Sequence, residues 1–474
     1  VESPASLTQK QKLILPSYLS THLLLVACYL QLASMRHPLN HPNLPLFQYQ
    51  IREIVDVAHK LQQLDPTLQI EWENIGDPIA KGWQVPPFLK EAIIQEVQKR
   101  GDKVFGYAHS RGIVSAREWV VSESKKQCAD SQLTVEDVLF TNGLGSAISA
   151  LYHMLPRGVR VIQPTPAYPA HASTESFNAG KPPILYNLDP NNGWQPDIVH
   201  LEQQLQNNSE IVGILVVNPN NPTGAVYSRE ILLQIVDLAE RYQTFIISDE
   251  VYYRMVYNET EFVQITELAA GRVPVIVMRG MSKDVPWPGG RSSWLEFHGA
   301  ELDSDFADYA KGLKKRVTME VCATSLPQYI LSTVYTHPDF PIWIREYNRE
   351  LESNGNMISE ILSSVKELIV NRTNGAFYMM PLFREGVLTD RQTLPIANEE
   401  VREFIEKEVS VPGFTLDKRF TYYLLASTGI CVVPASGFNS PYPGFRLTTL
   451  ERNNEKRQQI YSRLKDAIEK YLQS

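Results

Sequence analysis

Between about residue 85 and residue 300 the chain alternates short apolar runs with longer stretches of helical period. Val138–Thr141, Arg160–Gln163, Ile211–Val217, Phe245–Ile247 and Val275–Met278 are the apolar runs. Ile211–Val217 is almost wholly apolar, the pattern of a strand covered on both faces. Pro86–Lys99, Ser115–Ser124 and Ser228–Glu240 read as helices, with Ser228 placed to cap the third. This alternation predicts an α/β fold with a mainly parallel sheet between helices. Upstream, Ile51, Ile54, Val55, Ala58 and Leu61 fall on one stripe at helical spacing, so residues 1 to about 70 read as mostly helical. After residue 300 the alternation fades. A helical zone covers 302–367, and Asn374–Pro381 looks like a strand. Residues 384–420 are charged and irregular around one helix at Glu399–Glu408. The chain closes with an amphipathic helix through Ile460, Leu464, Ala467, Ile468 and Leu472. The expectation is a central α/β domain and a smaller α+β domain made from both chain ends.

Composition narrows the partners. The 474 residues are 43% hydrophobic and 21% charged, with a net charge of −8, as in ordinary soluble globular proteins. Without a basic excess, nucleic acid is not an expected partner. Cys28, Cys128, Cys322 and Cys431 are far apart and form no CxxC pair, so no metal site is expected and a cytoplasmic location fits. The longest early apolar run, Leu23–Leu30, is too short to span a bilayer and reads as a buried or partner-packing helix. It lacks a basic leader and a small-residue cleavage site, so it is not read as a signal peptide. No membrane partner is expected.

Polar motifs stand at the ends of the apolar runs. Asn142-Gly143-Leu144-Gly145 joins a strand to a helix and would offer free amides and a positive helix end to a phosphate. Tyr168, after Pro164-Thr-Pro, can lay an aromatic face over a flat ligand. Asn218-Pro-Asn-Asn221-Pro-Thr-Gly224 is a rigid polar loop. Asp249, in Ser248-Asp249-Glu250-Val-Tyr252, ends an apolar strand and must be paired, unless it only caps a helix. Ser282-Lys283 follows the next strand. A lysine held there unprotonated can attack a carbonyl carbon as a Schiff-base nucleophile. Arg291 follows in a Pro/Gly-rich turn and can clamp a phosphate. Pyridoxal 5′-phosphate (PLP), an aldehyde carrying a phosphate, needs both. Each motif alone also has an ordinary structural reading. Together, at strand ends where parallel sheets gather ligands, they are complementary to one molecule.

These motifs, with Ile75-Gly76-Asp-Pro78, Tyr107 and Gly444-Phe-Arg446, resemble the fold-type-I PLP enzymes of the class I/II aminotransferase family from about residue 74 to the end. Tyr107–Arg117, Trp194–Asp197 and Asn218–Tyr227 are most similar to the alanine (glutamate–pyruvate) aminotransferases. The resemblance implies a seven-stranded, mainly parallel sheet in a large domain at 80–340. A small domain from 1–79 and 341–474 would carry an N-terminal helical arm. It implies that Lys283 bonds PLP and then moves the proton of the reacting carbon. Asp249 would pair with the pyridine nitrogen, Tyr252 and Asn221 with the ring 3′-oxygen, and Tyr168 would stack on the ring. Gly143, Leu144, Gly145, Ser282 and Arg291 would hold the phosphate, with Tyr107 reaching the site of a neighbouring subunit in a homodimer. Arg446, Asn221 and Gly76 would bind the substrate. The implied reaction moves an amino group from an L-amino acid, alanine or glutamate, to a 2-oxo acid by a ping-pong route. β-Elimination, cyclisation and decarboxylation share the fold, and a PLP-binding regulator or a catalytically silent relative are the readings of other classes. Three departures stand out. Gly280 replaces a phosphate-binding serine common in the family, Ser293 replaces a glycine, and 384–420 is longer than the family minimum.

Overall fold

A computed structural model of the chain describes residues 39–47, 50–129 and 131–474. Residues 46–474 form one compact unit. The apolar run Leu23–Leu30 lies outside the described residues.

Nine strands lead up to residue 298: β1 Glu71–Trp72, β2 Val138–Thr141, β3 Arg160–Thr165, β4 Leu185–Asp189, β5 Gln195–Pro196, β6 Ile211–Val217, β7 Phe245–Asp249, β8 Val275–Gly280 and β9 Ser293–His298. All but β1 join one sheet in the order β2-β9-β8-β7-β6-β3-β4-β5. The centre, from β8 through β4, is parallel. β9 runs antiparallel between β8 and β2, and β5 pairs antiparallel with β4. The sheet thus has eight strands where seven were expected. The extra one, β5, is two residues long and contains a proline, too short to show a period of two.

Alternate residues along each strand enter opposite layers, as the pleat requires. Ile162, Ile214, Val216, Val275 and Val277 pack on one side, with helices Ile198–Asn207 and Arg229–Arg241. Val161, Leu215, Val217, Ile276 and Met278 pack on the other, with helices Leu144–His153 and Ser304–Thr318. Burial on both faces is why Ile211–Val217 shows no alternation. Ser228 caps Arg229–Arg241 as expected, its hydroxyl accepting from the Ile231 N–H at 3.3 Å. The helical zone after residue 300 resolves into Ser304–Thr318, Ser325–Tyr335 and Phe340–Ser363.

Segments distant in sequence are stitched together by short strands. β1 pairs in parallel with Ile430–Cys431. Phe445–Thr448 lies between Tyr378–Met379 and Val433–Pro434. The early apolar stripe forms helix Gln50–Leu64. Its Ile54, Ala58 and Leu61 are buried in the core. The Glu53 carboxylate on this helix meets Lys418 Nζ and the Tyr422 hydroxyl, so the segment around 399–428 braces it. Among the described residues, no helix is long and apolar enough to cross a membrane, and no cluster of His, Cys, Asp or Glu could hold a metal ion.

Candidate active site

A cavity of about 390 Å³ opens beyond the C-terminal ends of β6, β7 and β8. Val217, Asp249 and Lys283 line it from those three strand ends, the place where open α/β sheets bind ligands. Asp249 is buried. Its Oδ2 is 3.1 Å from Nε2 of His171, and Nδ1 of that ring is 3.0 Å from the Tyr152 hydroxyl. An ionised Asp249 only accepts, so Nε2 of His171 carries the proton facing it. Burial pushes the Tyr152 hydroxyl well above its ordinary value and keeps it protonated. The neighbouring Glu250 turns away beneath the sheet, its Oε2 accepting from Arg279 at 3.0 and 2.7 Å. The Asp-Glu doublet therefore sends one carboxylate to the cavity and one to a buried ion pair.

Leu144 and Gly145 line the cavity where helix Leu144–His153 begins, ahead of its first intrahelical bonds, and Ser282 and Arg291 line it too. Gly143, at φ +81°, caps that helix, and a Cβ there would lie 2.3 Å from an Arg291 guanidinium nitrogen. Glycine is what lets the cation lie against this turn. Arg291 also donates to the carbonyls of Pro288 and Asn142 at 3.2 and 3.4 Å. Tyr168 faces the cavity as the residue before helix Pro169–Ala179. Asn218 and Asn220 pin their own loop, accepting from the N–H groups of Tyr227 and Thr223. That leaves Asn221 facing the cavity.

The remaining wall comes from both chain ends. Lys283 Nζ donates to the Gly76 carbonyl at 2.9 Å. Arg446, 2% exposed, donates to the Asn74 carbonyl and reaches Asn221 Oδ1 at 3.5 Å. Its guanidinium lies 4.6 Å from the ring centre of Tyr378. The Tyr252 hydroxyl donates to that of Tyr378 at 3.3 Å, and burial raises its pKa well above the ordinary tyrosine value. A Cβ on Gly76 would lie 2.0 Å from the Tyr378 hydroxyl, so only glycine fits. Ile51, Arg52 and Val55 of helix Gln50–Leu64 complete the lining.

The structure thus brings together on one cavity Gly76, Leu144, Gly145, Tyr168, Asn221, Asp249, Tyr252, Ser282, Lys283, Arg291 and Arg446, with Gly143 directly behind Arg291. Tyr107 lies outside this lining and is 85% exposed. Residues 384–420 do not line the cavity either; Lys418 of that stretch meets Glu53 on helix Gln50–Leu64, which does line it. Arg52, His171, Tyr152 and Tyr378 were not singled out from sequence. Arg52 flanks the apolar stripe, a signal that was available.

Residues 74–464 match the sequence profile of the family described as aminotransferase class I and II. The chain belongs to the class I and II aminotransferases. An uncharacterized aminotransferase of Methanocaldococcus jannaschii is 42% identical over 93% of this chain and 100% of its own length. An alanine aminotransferase of Mycobacterium bovis is 30% identical over 80% of each chain. Among solved structures, alanine aminotransferase from Pyrococcus furiosus superposes with a TM-score of 0.76 at 26% identity, covering 91% of this chain and 99% of that one. The protein is an aminotransferase of fold type I, and PLP is the cofactor of its family. The donor set fits that molecule: helix-end amides, a hydroxyl and a guanidinium suit a phosphate, a buried carboxylate suits a protonated ring nitrogen, and a lysine lies within the same cavity. Two of the departures prove to be one. Gly280 and Ser293 are direct partners across β8 and β9. A Cβ on Gly280 would lie 2.8 Å from the Ser292 carbonyl and 3.0 Å from Cβ of Ser293. The Ser293 hydroxyl is buried 2.7 Å from that of Thr141 and does not line the cavity.

Proposed function

We propose that this aminotransferase exchanges an amino group between alanine and a dicarboxylic partner, glutamate with its 2-oxo acid, by a ping-pong route. Bound PLP supplies an electron sink and carries the amino group between the two halves. The amides of Leu144 and Gly145 with Ser282 and Arg291 would hold its phosphate, the glycine at 143 admitting the guanidinium. Asp249, backed by His171, would keep the ring nitrogen protonated. Tyr252 and Asn221 would donate to the ring oxygen, and Tyr168 would cover the ring face. Lys283 would hold the cofactor's aldehyde carbon and would be the base placed to take up and return a proton at the substrate Cα. Arg446 grips the α-carboxylate with its fork of donors, assisted by Asn221 and the backbone at Gly76.

One observation carries the substrate class. Four basic side chains line the cavity: Arg52, Lys283, Arg291 and Arg446. After the cofactor and the α-carboxylate have taken three, Arg52 remains for a second carboxylate. It stands between Ile51 and Val55, apolar neighbours that suit the methyl group of alanine. The name of the mycobacterial relative supports the same reading. The test is a half-reaction screen read by cofactor absorbance. Alanine and glutamate should both convert the cofactor to its amino form. Arg52→Gln should lower kcat/KM for glutamate about tenfold and spare alanine, the expected loss of one exposed charge-assisted contact. Equal loss on both substrates overturns the role of Arg52. Release of pyruvate and ammonia from a β-substituted amino acid, without conversion by alanine or glutamate, points to a lyase instead.

The protein also acts, in this reading, as a homodimer in the cytoplasm. Phe105, Tyr107, Met319 and Val321 are exposed. They flank segments joined to the phosphate end of the cavity: Ser325 bonds the Val104 carbonyl, and Thr324 bonds Asn142 beside Arg291. A second copy covering that face would carry Tyr107 toward its partner's site. Sedimentation of the holoenzyme as a monomer at micromolar concentration would remove this part.

A further inference from the structure

The two central cations of the cavity rest on one short piece of backbone. Lys283 donates to the Gly76 carbonyl and Arg446 to the Asn74 carbonyl. Residues 75–77 between and beside them belong to neither helix nor strand. The turn is held at its root. Glu73, fully buried, accepts from Lys81 Nζ at 2.7 Å through Oε1 and from the Tyr461 hydroxyl at 2.7 Å through Oε2. Its own carbonyl accepts from the N–H of Thr448 at 2.8 Å, two residues along the strand from Arg446. Lys81 ends the short helical turn Ile79–Lys81 on the far side of the loop. The ion pair therefore closes residues 73–81 into a ring with Asn74 and Gly76 on its rim.

We propose that Glu73, Lys81 and Tyr461 form a positioning cluster for the reaction, setting the carbonyls of Asn74 and Gly76 against Arg446 and Lys283. A buried carboxylate is tolerated only where a cation and hydrogen bonds meet it, so the loop has one arrangement that satisfies Glu73. Burial, and then the charge of Glu73, hold the Tyr461 hydroxyl far above its ordinary pKa, so it remains a donor. Without Lys81 that arrangement is no longer enforced, and Arg446 loses the fixed acceptor that aims its guanidinium. The consequence falls on carboxylate affinity rather than on the sheet. This inference rests on the reading that Arg446 receives the α-carboxylate.

The test is calorimetric titration of the PLP-loaded enzyme with succinate, a dicarboxylate with neither an amino nor an oxo group. Lys81→Met should weaken binding about tenfold, and Lys81→Arg should restore it to within about threefold, because the ion pair is restored. The double variant Glu73→Gln/Lys81→Met removes the uncompensated buried charge and so guards against misfolding; it should still bind weakly. Amide exchange should quicken in residues 73–82 and stay unchanged in β6, β7 and β8. Arg446→Gln serves as the control and should also weaken succinate at least about tenfold. An unchanged affinity in Arg446→Gln overturns the functional reading itself. If Arg446→Gln is weak while Lys81→Met and the double variant bind within about twofold of the parent, the positioning role is overturned. Weak binding accompanied by faster exchange throughout the sheet overturns it too, because the loss would then be one of folding.

Discussion

Asp249 and Lys283 reach the cavity from the ends of strands of five and six residues in the middle of an eight-stranded sheet. Gly76 and Arg446 reach it from a loop and from a four-residue strand whose two partners have two residues each. In the first region, strand register places Asp249 opposite Met278, Lys283 follows three residues beyond the end of β8, and His171 behind Asp249 is buried. In the second, the Asn74 carbonyl meets Arg446, and the loop that carries it is rooted by the contacts of Glu73 with Lys81 and Tyr461. The sheet end is stiff by construction; the other end is stiff only while its long-range contacts last. That division suits the chemistry. In the proposed reading the sheet end would hold the coenzyme and the other end would meet the amino and oxo acids.

Four substitutions test the contrast. Lys283→Ala should have the largest effect, lowering kcat by on the order of 10⁴-fold without a change in fold, since it removes the group that moves the proton. Steady-state rates within tenfold of the parent would take Lys283 out of the reaction. Next comes Gly76→Ala at the loop end. Its Cβ would lie 2.0 Å from the Tyr378 hydroxyl. A displacement of about an ångström there should cut kcat/KM about 10²-fold, and adding Tyr378→Phe should recover part of it. Unchanged kinetics would show that the loop yields freely and that the close approach has no function. Gly280→Ser, at the sheet end, should cost about 1–3 kcal/mol of stability through overpacking against Ser293. Adding Ser293→Gly should return most of that loss in a double-mutant cycle measured by urea unfolding. Additive losses would mean that the two positions are independent. The smallest effect should be that of His171→Leu, about tenfold in kcat, the worth of one hydrogen bond to the Asp249 carboxylate. An unaltered kcat and pH profile would leave His171 a packing residue only.

The sheet end was largely legible in the sequence because its signals are local. An apolar run that stops at Asp249, and another followed by Lys283, announce themselves within a few residues. Even there Asp249 was singled out from Glu250 only through the family resemblance; the partner of Glu250, Arg279, is visible only in three dimensions. His171 escaped notice since its carboxylate partner is 78 residues away. Glu73 and Tyr461 are 388 residues apart, and no periodicity links them. Gly280 and Ser293 read as separate oddities until strand register set them face to face. Helix Leu416–Thr428 lay partly in a stretch read as irregular. Its residues from Phe420 to Ala426 are all buried, so there is no polar face to reveal a helical stripe. The strands that stitch the chain ends together are two to four residues long, below the length at which alternation can be seen.

The bond between Glu73 and Tyr461 also sets an order of events during synthesis. Polypeptides leave the ribosome N-terminus first and fold unit by unit as they emerge. The turn bearing Asn74 and Gly76 is translated early, and its anchor follows 388 residues behind Glu73. By the time β9 has emerged, every strand of the large sheet is available, while helix Asn454–Gln473 is still untranslated. On the reading that Glu73 and Tyr461 fasten the loop, a nascent chain of that length would have the strand ends that meet the coenzyme but not the anchor of the doorway for amino acids.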